Sequence, residues 1–227
     1  MGSPVRALVV MQLRDQRILE HLALHRLSVR ELLDELFFDG KKGGCANVVK
    51  RLMNKQGWVA STPFPEGNNR TYYTLTEEGA SALGVASNRC GVSPQLLEPA
   101  RAALWLAHQS PRASHLVRLT PEDLKQLFPD ASIAGEHLVD VSRGWVLRVY
   151  APAPKANKKK VHDGIKRNIG PGASLHEDPL LRSWAASGNY RLAVVVRRSA
   201  FKNDLKAWFK AEGLNALCYA DEGWPCG

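Results

Sequence analysis

Hydrophobic residues recur at helical spacing in three successive segments near the start of the chain. In residues 14–25 they fall at Ile18, Leu19 and Leu22, and apolar positions three and four residues apart indicate a helix with one buried face. The same spacing returns at Val29, Leu32, Leu33, Leu36 and Phe37, and again at Val48, Val49, Leu52 and Met53. The pattern therefore predicts three short amphipathic helices.

Polar residues mark the expected ends of these helices. Ser28-Val29-Arg30-Glu31 matches a capping box, in which a serine hydroxyl accepts from the amide three residues later, with apolar residues on either side forming a hydrophobic staple. Ser28 is therefore predicted to cap the second helix. The third helix is predicted from about Cys45 to Gln56, because Gly57 stands where a left-handed C-terminal cap is expected.

A β-hairpin is predicted directly after the third helix. Residues 58–62 are strand-like, residues 63–69 are rich in Pro, Gly and Asn, and residues 70–75 are aromatic and β-branched. Thr76 or Thr74 is expected to cap a further helix. Trp58, Tyr72 and Tyr73 are interpreted as hairpin and core packing. Three helices followed by a hairpin predict a winged helix-turn-helix.

Charge makes DNA the expected partner of this segment. The 227 residues carry a formal net charge of +9, and a surplus of this kind favours polyanions. Residues 41–72 hold six cations against one acid, Glu66, so positive charge is concentrated around the third helix and the hairpin. A basic helix face is also typical of a merely solvated surface, and winged helices also mediate protein contacts, so a protein-interaction module stays an alternative.

The third helix should present one polar side to double-stranded DNA. Asn47, Lys50, Arg51 and Asn54 recur at i, i+3, i+4 and i+7, and they are predicted to read bases. Phosphate contacts are predicted for Lys41 and Lys42 before the helix and for Arg70 in the hairpin. The complete predicted DNA-binding set is Lys41, Lys42, Asn47, Lys50, Arg51, Asn54, Lys55, Asn68, Asn69 and Arg70.

Three stretches resemble known bacterial proteins. Residues 73–79, Tyr-Thr-Leu-Thr-Glu-Glu-Gly, are similar to the passage from wing to helix in bacterial winged-helix regulators. Residues 14–19 and 28–32 resemble the replication-relaxation family, whose plasmid and chromosomal proteins join an N-terminal winged helix to an α/β domain sometimes likened to restriction endonucleases. The resemblance implies a DNA-binding regulator of transcription or plasmid replication. Over residues 119–225 it depends on element order alone.

The second half predicts a small α/β domain. Strands are expected at residues 137–141, 145–150, 192–196 and 216–220. Four helices are expected: one that begins at Thr120, a short one that ends near Asn168, one at about residues 180–186, and one whose apolar stripe is Phe201, Leu205, Trp208 and Phe209. The expected fold class is α+β, with a winged helix-turn-helix at residues 1–88, a helical connector at 89–118 and a mixed-sheet domain at 119–227. This last domain is compatible with a degenerate restriction-endonuclease-like core. The connector either docks on the winged helix or forms the seam of a homodimer.

Catalytic chemistry is not expected in the second domain. A restriction-type nuclease needs an acid on one strand and Asp/Glu-x-Lys on the next to hold Mg²⁺. Asp130 or Asp140 could supply the first acid, but residues 145–150 contain no acid at all, and Asp140 is interpreted as a surface residue. A nuclease-like enzyme stays an alternative. No catalytic residue, metal ligand or cofactor is predicted.

Three remaining features concern charge, cysteine and membranes. Residues 155–167 hold six cations and one acid, Asp163, which predicts either a phosphate contact or a solvated loop.

The four cysteines are scattered, so neither a zinc site nor a disulfide framework is indicated, and a reducing compartment disfavours a Cys218–Cys226 bridge. No apolar run approaches the roughly 20 residues that span a bilayer, so we expect a cytoplasmic protein with no membrane partner.

Overall fold

The computed structural model describes residues 11–65, 70–170, 173 and 177–225. The chain divides into two compact units, Met1–Gly91 and Val92–Gly227. Both mix helices and strands, so the α+β class predicted from the sequence is confirmed. Each unit is described separately below.

The N-terminal unit combines short helices with a small antiparallel sheet. Its elements are α1 (Leu13–His25), β1 (Ser28–Val29), α2 (Arg30–Phe37), α3 (Ala46–Asn54), β2 (Val59–Pro63), β3 (Thr71–Leu75) and α4 (Glu77–Leu83). The three strands lie in the order β1-β3-β2, with Val59 opposite Leu75 and Pro63 opposite Thr71. The three helices and the hairpin predicted from the hydrophobic pattern are therefore present.

The core of this unit is built from the apolar positions that the periodicity selects. Its buried residues come from all four helices and the hairpin, and include Ile18, Leu19, Leu22, Leu33, Val49, Leu52, Val59, Leu75 and Ala80. Trp58 and Tyr73 pack against this cluster, and Tyr72 is buried with its ring 4.9 Å from that of Phe64. The assignment of these three aromatic residues to packing is confirmed.

Ser28 does not cap the second helix. Residues 28 and 29 pair with β3 as the short strand β1, and α2 begins at Arg30 with Val29 in the capping position and no side-chain cap. The fully buried Ser28 hydroxyl lies 3.0 Å from Nε2 of His21 on α1. The capping-box prediction was wrong because pairing with β3 uses these residues as a strand. Thr76, by contrast, accepts a hydrogen bond from the amide of Gly79 and caps α4 as predicted.

The C-terminal unit is a five-stranded mixed sheet with helices on both faces. Its elements are α5 (Pro94–His108), β4 (Leu116–Leu119), α6 (Pro121–Leu127), β5 (Glu136–Asp140), β6 (Trp145–Tyr150), α7 (Lys158–Ile169), α8 (Pro179–Ala186), β7 (Tyr190–Val196), α9 (Ser199–Glu212) and β8 (Ala216–Ala220). The strand order is β4-β5-β6-β7-β8. The first two pairings are antiparallel and the last two are parallel.

The two faces of the sheet bury different helices. On one face Ala102, Ala103 and Leu106 of α5 pack against Leu138 and Leu147. On the other face α7 and α9 pack against β7 and β8, and α6 and α8 pack beside them. The segment expected to act as a connector therefore supplies α5, which belongs to the second unit.

A buried charge cluster joins α5 to the end of the sheet. Arg101 is 1% exposed and its guanidinium lies 2.6 Å from the carboxylate of Asp221, which is also buried. Arg101 also donates to the carbonyl of Trp224, and Glu98 pairs with both Arg101 and Arg197. Buried charges of this kind are tolerated only when they are paired and hydrogen-bonded, so this cluster serves the fold.

Candidate nucleic-acid interface

The loop before α3 is held by one buried carboxylate. Asp34 of α2 accepts hydrogen bonds from the amides of Gly43, at 2.6 Å, and Cys45, at 2.7 Å. Burial opposes ionisation of Asp34, but these amide bonds and the Arg30 charge outweigh it and lower the pKa of the carboxyl. Because Cys45 immediately precedes α3, the ionised carboxylate fixes where and in which direction the helix begins.

A single buried side leaves the opposite side of α3 open to solvent. Val49 and Leu52 are buried in the core, whereas Asn47, Lys50 and Asn54 are exposed. These three positions are spaced at i, i+3 and i+7, so they lie along one face of the helix. Within the described part of the chain, none of the three side chains has a hydrogen-bonding or ionic partner.

Arg51, which the helical spacing also places on this side, has an acidic partner within the protein. Its guanidinium nitrogen lies 2.6 and 2.8 Å from the two carboxylate oxygens of Asp15 on α1. The Asp15 side chain is 2% exposed and that of Arg51 is 30% exposed. The helical spacing placed Arg51 beside Asn47 and Asn54, but it could not reveal the acid that α1 brings to it. The structure gives Arg51 a partner that ties α3 to α1.

The other cations of the predicted DNA-binding set are exposed or partly exposed. Lys41 and Lys42 precede α3 and Lys55 follows it, and all three are exposed. Arg70 is partly exposed, with a guanidinium nitrogen 4.0 Å from a carboxylate oxygen of Glu31. Asn68 and Asn69 lie outside the described residues.

Sequence reasoning missed one cation next to the loop. Arg30 is exposed at the start of α2, and its guanidinium lies so close to Gly43 that a Cβ there would come within 2.9 Å of it. This places a positive charge beside Lys41 and Lys42. The signal was masked because Arg30 falls inside the Ser28–Glu31 pattern, which was interpreted only as a cap.

The cysteine that precedes α3 has a thiol of low reactivity. Cys45 is 1% exposed, and its thiol donates to the carbonyl of Arg30 across 3.8 Å. Burial, followed by its hydrogen bond and charge interaction with Asp34, raises the pKa of the Cys45 thiol to about 12. A thiol with so little thiolate is a poor nucleophile, so Cys45 contributes packing. Cys90 and Cys218 are also free, and Cys226 lies outside the described residues.

In the second unit, the acids on the strand before β6 are paired with arginines. Asp140 is buried and accepts from Arg112, at 2.7 Å, and from the Ser142 hydroxyl, at 2.6 Å. Burial raises the pKa of Asp140, but Ser142 and Arg112 outweigh that effect and lower it. Its interpretation as a surface acid was wrong. Glu136, at the other end of β5, is buried against Arg118.

A histidine of β5 forms a hydrogen-bonded pair with a tyrosine of β7, next to an arginine of the neighbouring strand β6. Nε2 of His137 lies 2.8 Å from the Tyr190 hydroxyl, and Nδ1 lies 3.2 Å from the carbonyl of Gly135. Burial, with Arg148 nearby, lowers the pKa of His137 to about 3. The imidazole is therefore neutral, donates through Nδ1 and accepts from Tyr190. Exposed Asp130 shares a cleft with Arg148 and Tyr190.

No family model matches this chain, and comparisons with curated proteins and with solved structures find no similar protein. The resemblance to the replication-relaxation family therefore stays a prediction. Among the described residues, no helix combines the length and apolar character needed to cross a membrane.

Proposed function

We propose that the N-terminal unit is a winged helix-turn-helix that binds double-stranded DNA, with α3 in the major groove and the β2–β3 hairpin as the wing. The observation that carries the proposal is the open face of α3, formed by Asn47, Lys50 and Asn54. Asparagine can form two hydrogen bonds with an adenine edge, and lysine can bind guanine or a phosphate. A helix with three exposed polar side chains that have no partner among the described residues is suited to this task.

Charge and support around this face favour the same function. Lys41, Lys42 and Arg30 lie next to the start of α3, where phosphates would pass. The Asp34 carboxylate and the Arg51–Asp15 ion pair hold the helix on α2 and α1. A recognition helix needs this rigidity, because base contacts require side chains to be held in place. We propose that the protein regulates transcription or plasmid replication in the bacterial cytoplasm.

The test is selection of bound sequences from a random DNA pool, followed by fluorescence titrations on selected and scrambled duplexes at two salt concentrations. Asn47→Ala should weaken binding to the selected duplex by about 1–3 kcal/mol and relax the preference at one base pair. Lys42→Ala should weaken both duplexes alike and reduce the salt slope by about one. Exposed Lys125 of α6 provides a charge-matched control, Lys125→Ala, which should bind as the wild type does.

Two further results would be informative: one about assembly on DNA, and one that would contradict the proposal. A palindromic selected motif would indicate a two-fold assembly on DNA, as expected for a homodimer. Wild-type affinity in both the Asn47→Ala and Lys42→Ala variants would mean that α3 does not face DNA. A protein-interaction module would then be the better description of this unit.

A further inference from the structure

Helices α7 and α9 lie side by side over one face of the second sheet. Val161 and Ile165 of α7 and Leu205 and Phe209 of α9 are buried in the same cluster, which also includes Val194 of β7. The remaining sides of both helices face solvent. Exposed positions of α7 are all charged: Lys158, Lys159, Lys160, Asp163, Lys166 and Arg167.

The side of α7 that faces α9 is electrically balanced. Lys158 lies 3.6 Å from Asp204, and Lys166 lies 3.1 Å from Glu212. Between them the ring of His162 stacks on Trp208, with centroids 3.9 Å apart and planes 4° from parallel. Each lysine on this side therefore has an acid on α9.

The side of α7 turned away from α9 is not balanced. Here the cations Lys159, Lys160 and Arg167 are exposed, and Lys155 is exposed in the loop just before the helix. None of the four has an ionic partner in the described ranges. Asp163 is the one acid of α7, and it lies on this same side. We call the four cations the outer row of α7.

We propose that the outer row of α7 is a second DNA-binding surface, which contacts phosphates of duplex DNA without reading sequence. The inference rests on the proposed function of the first unit, which supplies the same polyanion. Unpaired cations in a row gain free energy from phosphates by releasing condensed counterions. The planar guanidinium of Arg167 can also bind a phosphate through two hydrogen bonds.

The composition of the surface favours DNA over a membrane or an acidic protein. A helix that lies on a membrane buries apolar side chains between the lipids, but α7 exposes only charged ones. Protein interfaces are depleted in lysine and enriched in aromatic side chains at their centres. Trp208, an aromatic side chain of α9 that lies beside α7, is stacked against His162.

The experiment compares two full-length triple variants that each lose three positive charges. One is Lys159→Gln/Lys160→Gln/Arg167→Gln. The matched control is Lys202→Gln/Lys206→Gln/Lys210→Gln, which removes a row of cations at i, i+4 and i+8 from α9. Circular dichroism and thermal melting verify that both fold. Affinity for selected and scrambled duplexes is then measured over a salt series.

The α7 variant should bind both duplexes at least about tenfold more weakly at roughly 0.1 M salt, and its salt slope should fall by about 2–3. Its preference for the selected duplex should persist, whereas Asn47→Ala should lose preference, so the two surfaces fail in different ways. Equal weakening by the α9 variant would overturn the proposal, because net charge alone would explain it. An unchanged salt slope in the α7 variant would also overturn the proposal. So would a wild-type protein that binds phosphatidylserine vesicles in preference to DNA.

Discussion

Replacing Arg51 by alanine separates a structural role from a role in base reading. The substitution removes both contacts to the Asp15 carboxylate, 2.6 and 2.8 Å long, and leaves a side chain that is 2% exposed without its cation. A hydrogen bond to a charged group contributes about 1.5–3 kcal/mol. Arg51 itself is 30% exposed, so water partly replaces it and the lower part of that range applies.

We therefore expect Arg51→Ala to lower the free energy of unfolding of the N-terminal unit by about 2 kcal/mol. For a unit of this size the melting temperature should fall by roughly 10 °C. Asp15→Ala should be destabilising as well, and the double variant should be less destabilised than the sum of the two single ones, by about 1–2 kcal/mol. Chemical denaturation followed by circular dichroism measures all three.

Lys50→Ala is the matched control on the same helix. Lys50 is exposed with no partner among the described residues, so its removal should change stability by less than about 0.5 kcal/mol. Below its melting temperature, Arg51→Ala should keep the sequence preference of the wild type. If Arg51→Ala proves as stable as Lys50→Ala yet loses preference at one base pair, Arg51 does not stabilise the fold through its ion pair. A contact between Arg51 and a base, as predicted from the sequence, would then be the better explanation.

Three further predictions concern packing and pH. Alanine at an ordinary helical glycine usually stabilises, but Gly79→Ala should cost at least about 1 kcal/mol, because its Cβ would lie 2.2 Å from the carbonyl oxygen of Trp58; Ser81→Ala on the exposed side of α4 is the control, and equal melting temperatures would contradict the reasoning. Asp34→Asn should destabilise the protein near neutral pH, and its difference from the wild type should shrink as the pH falls below about 3.8 and through the lowered folded pKa. A difference that stays constant in acid would show that the ionised form is not required. His137, neutral when folded, should lower wild-type stability as the pH falls from 6.5 towards 3, by up to about 1.4 kcal/mol per pH unit, because the unfolded chain takes up a proton first. His137→Gln should lack this part of the slope in denaturation curves at several pH values.

The sequence by itself determined the helices and most strands of both units. Periodic apolar positions such as Leu52 on α3 and Leu205 on α9 identify the buried face of a helix, because the same residues repeat on one side every three or four positions. Local signals also sufficed where the interaction is local. Thr120 and Asp123 form the capping box that begins α6, and Gly57 adopts the left-handed conformation expected after α3.

Only the tertiary structure decided which partner each of several polar side chains meets, because those partners lie far away in the sequence. Ser28 has the local pattern of a cap, but pairing with Tyr73 across the sheet makes it part of a strand. Arg51 has the spacing of a base-reading residue, but Asp15, thirty-six positions away, binds it. Asp140 follows the pattern of a strand-end surface acid, but Arg112 and the fold bury it. Spacing along one element shows which side chains share a face, whereas the partner that a polar side chain meets depends on elements packed against it from elsewhere in the chain.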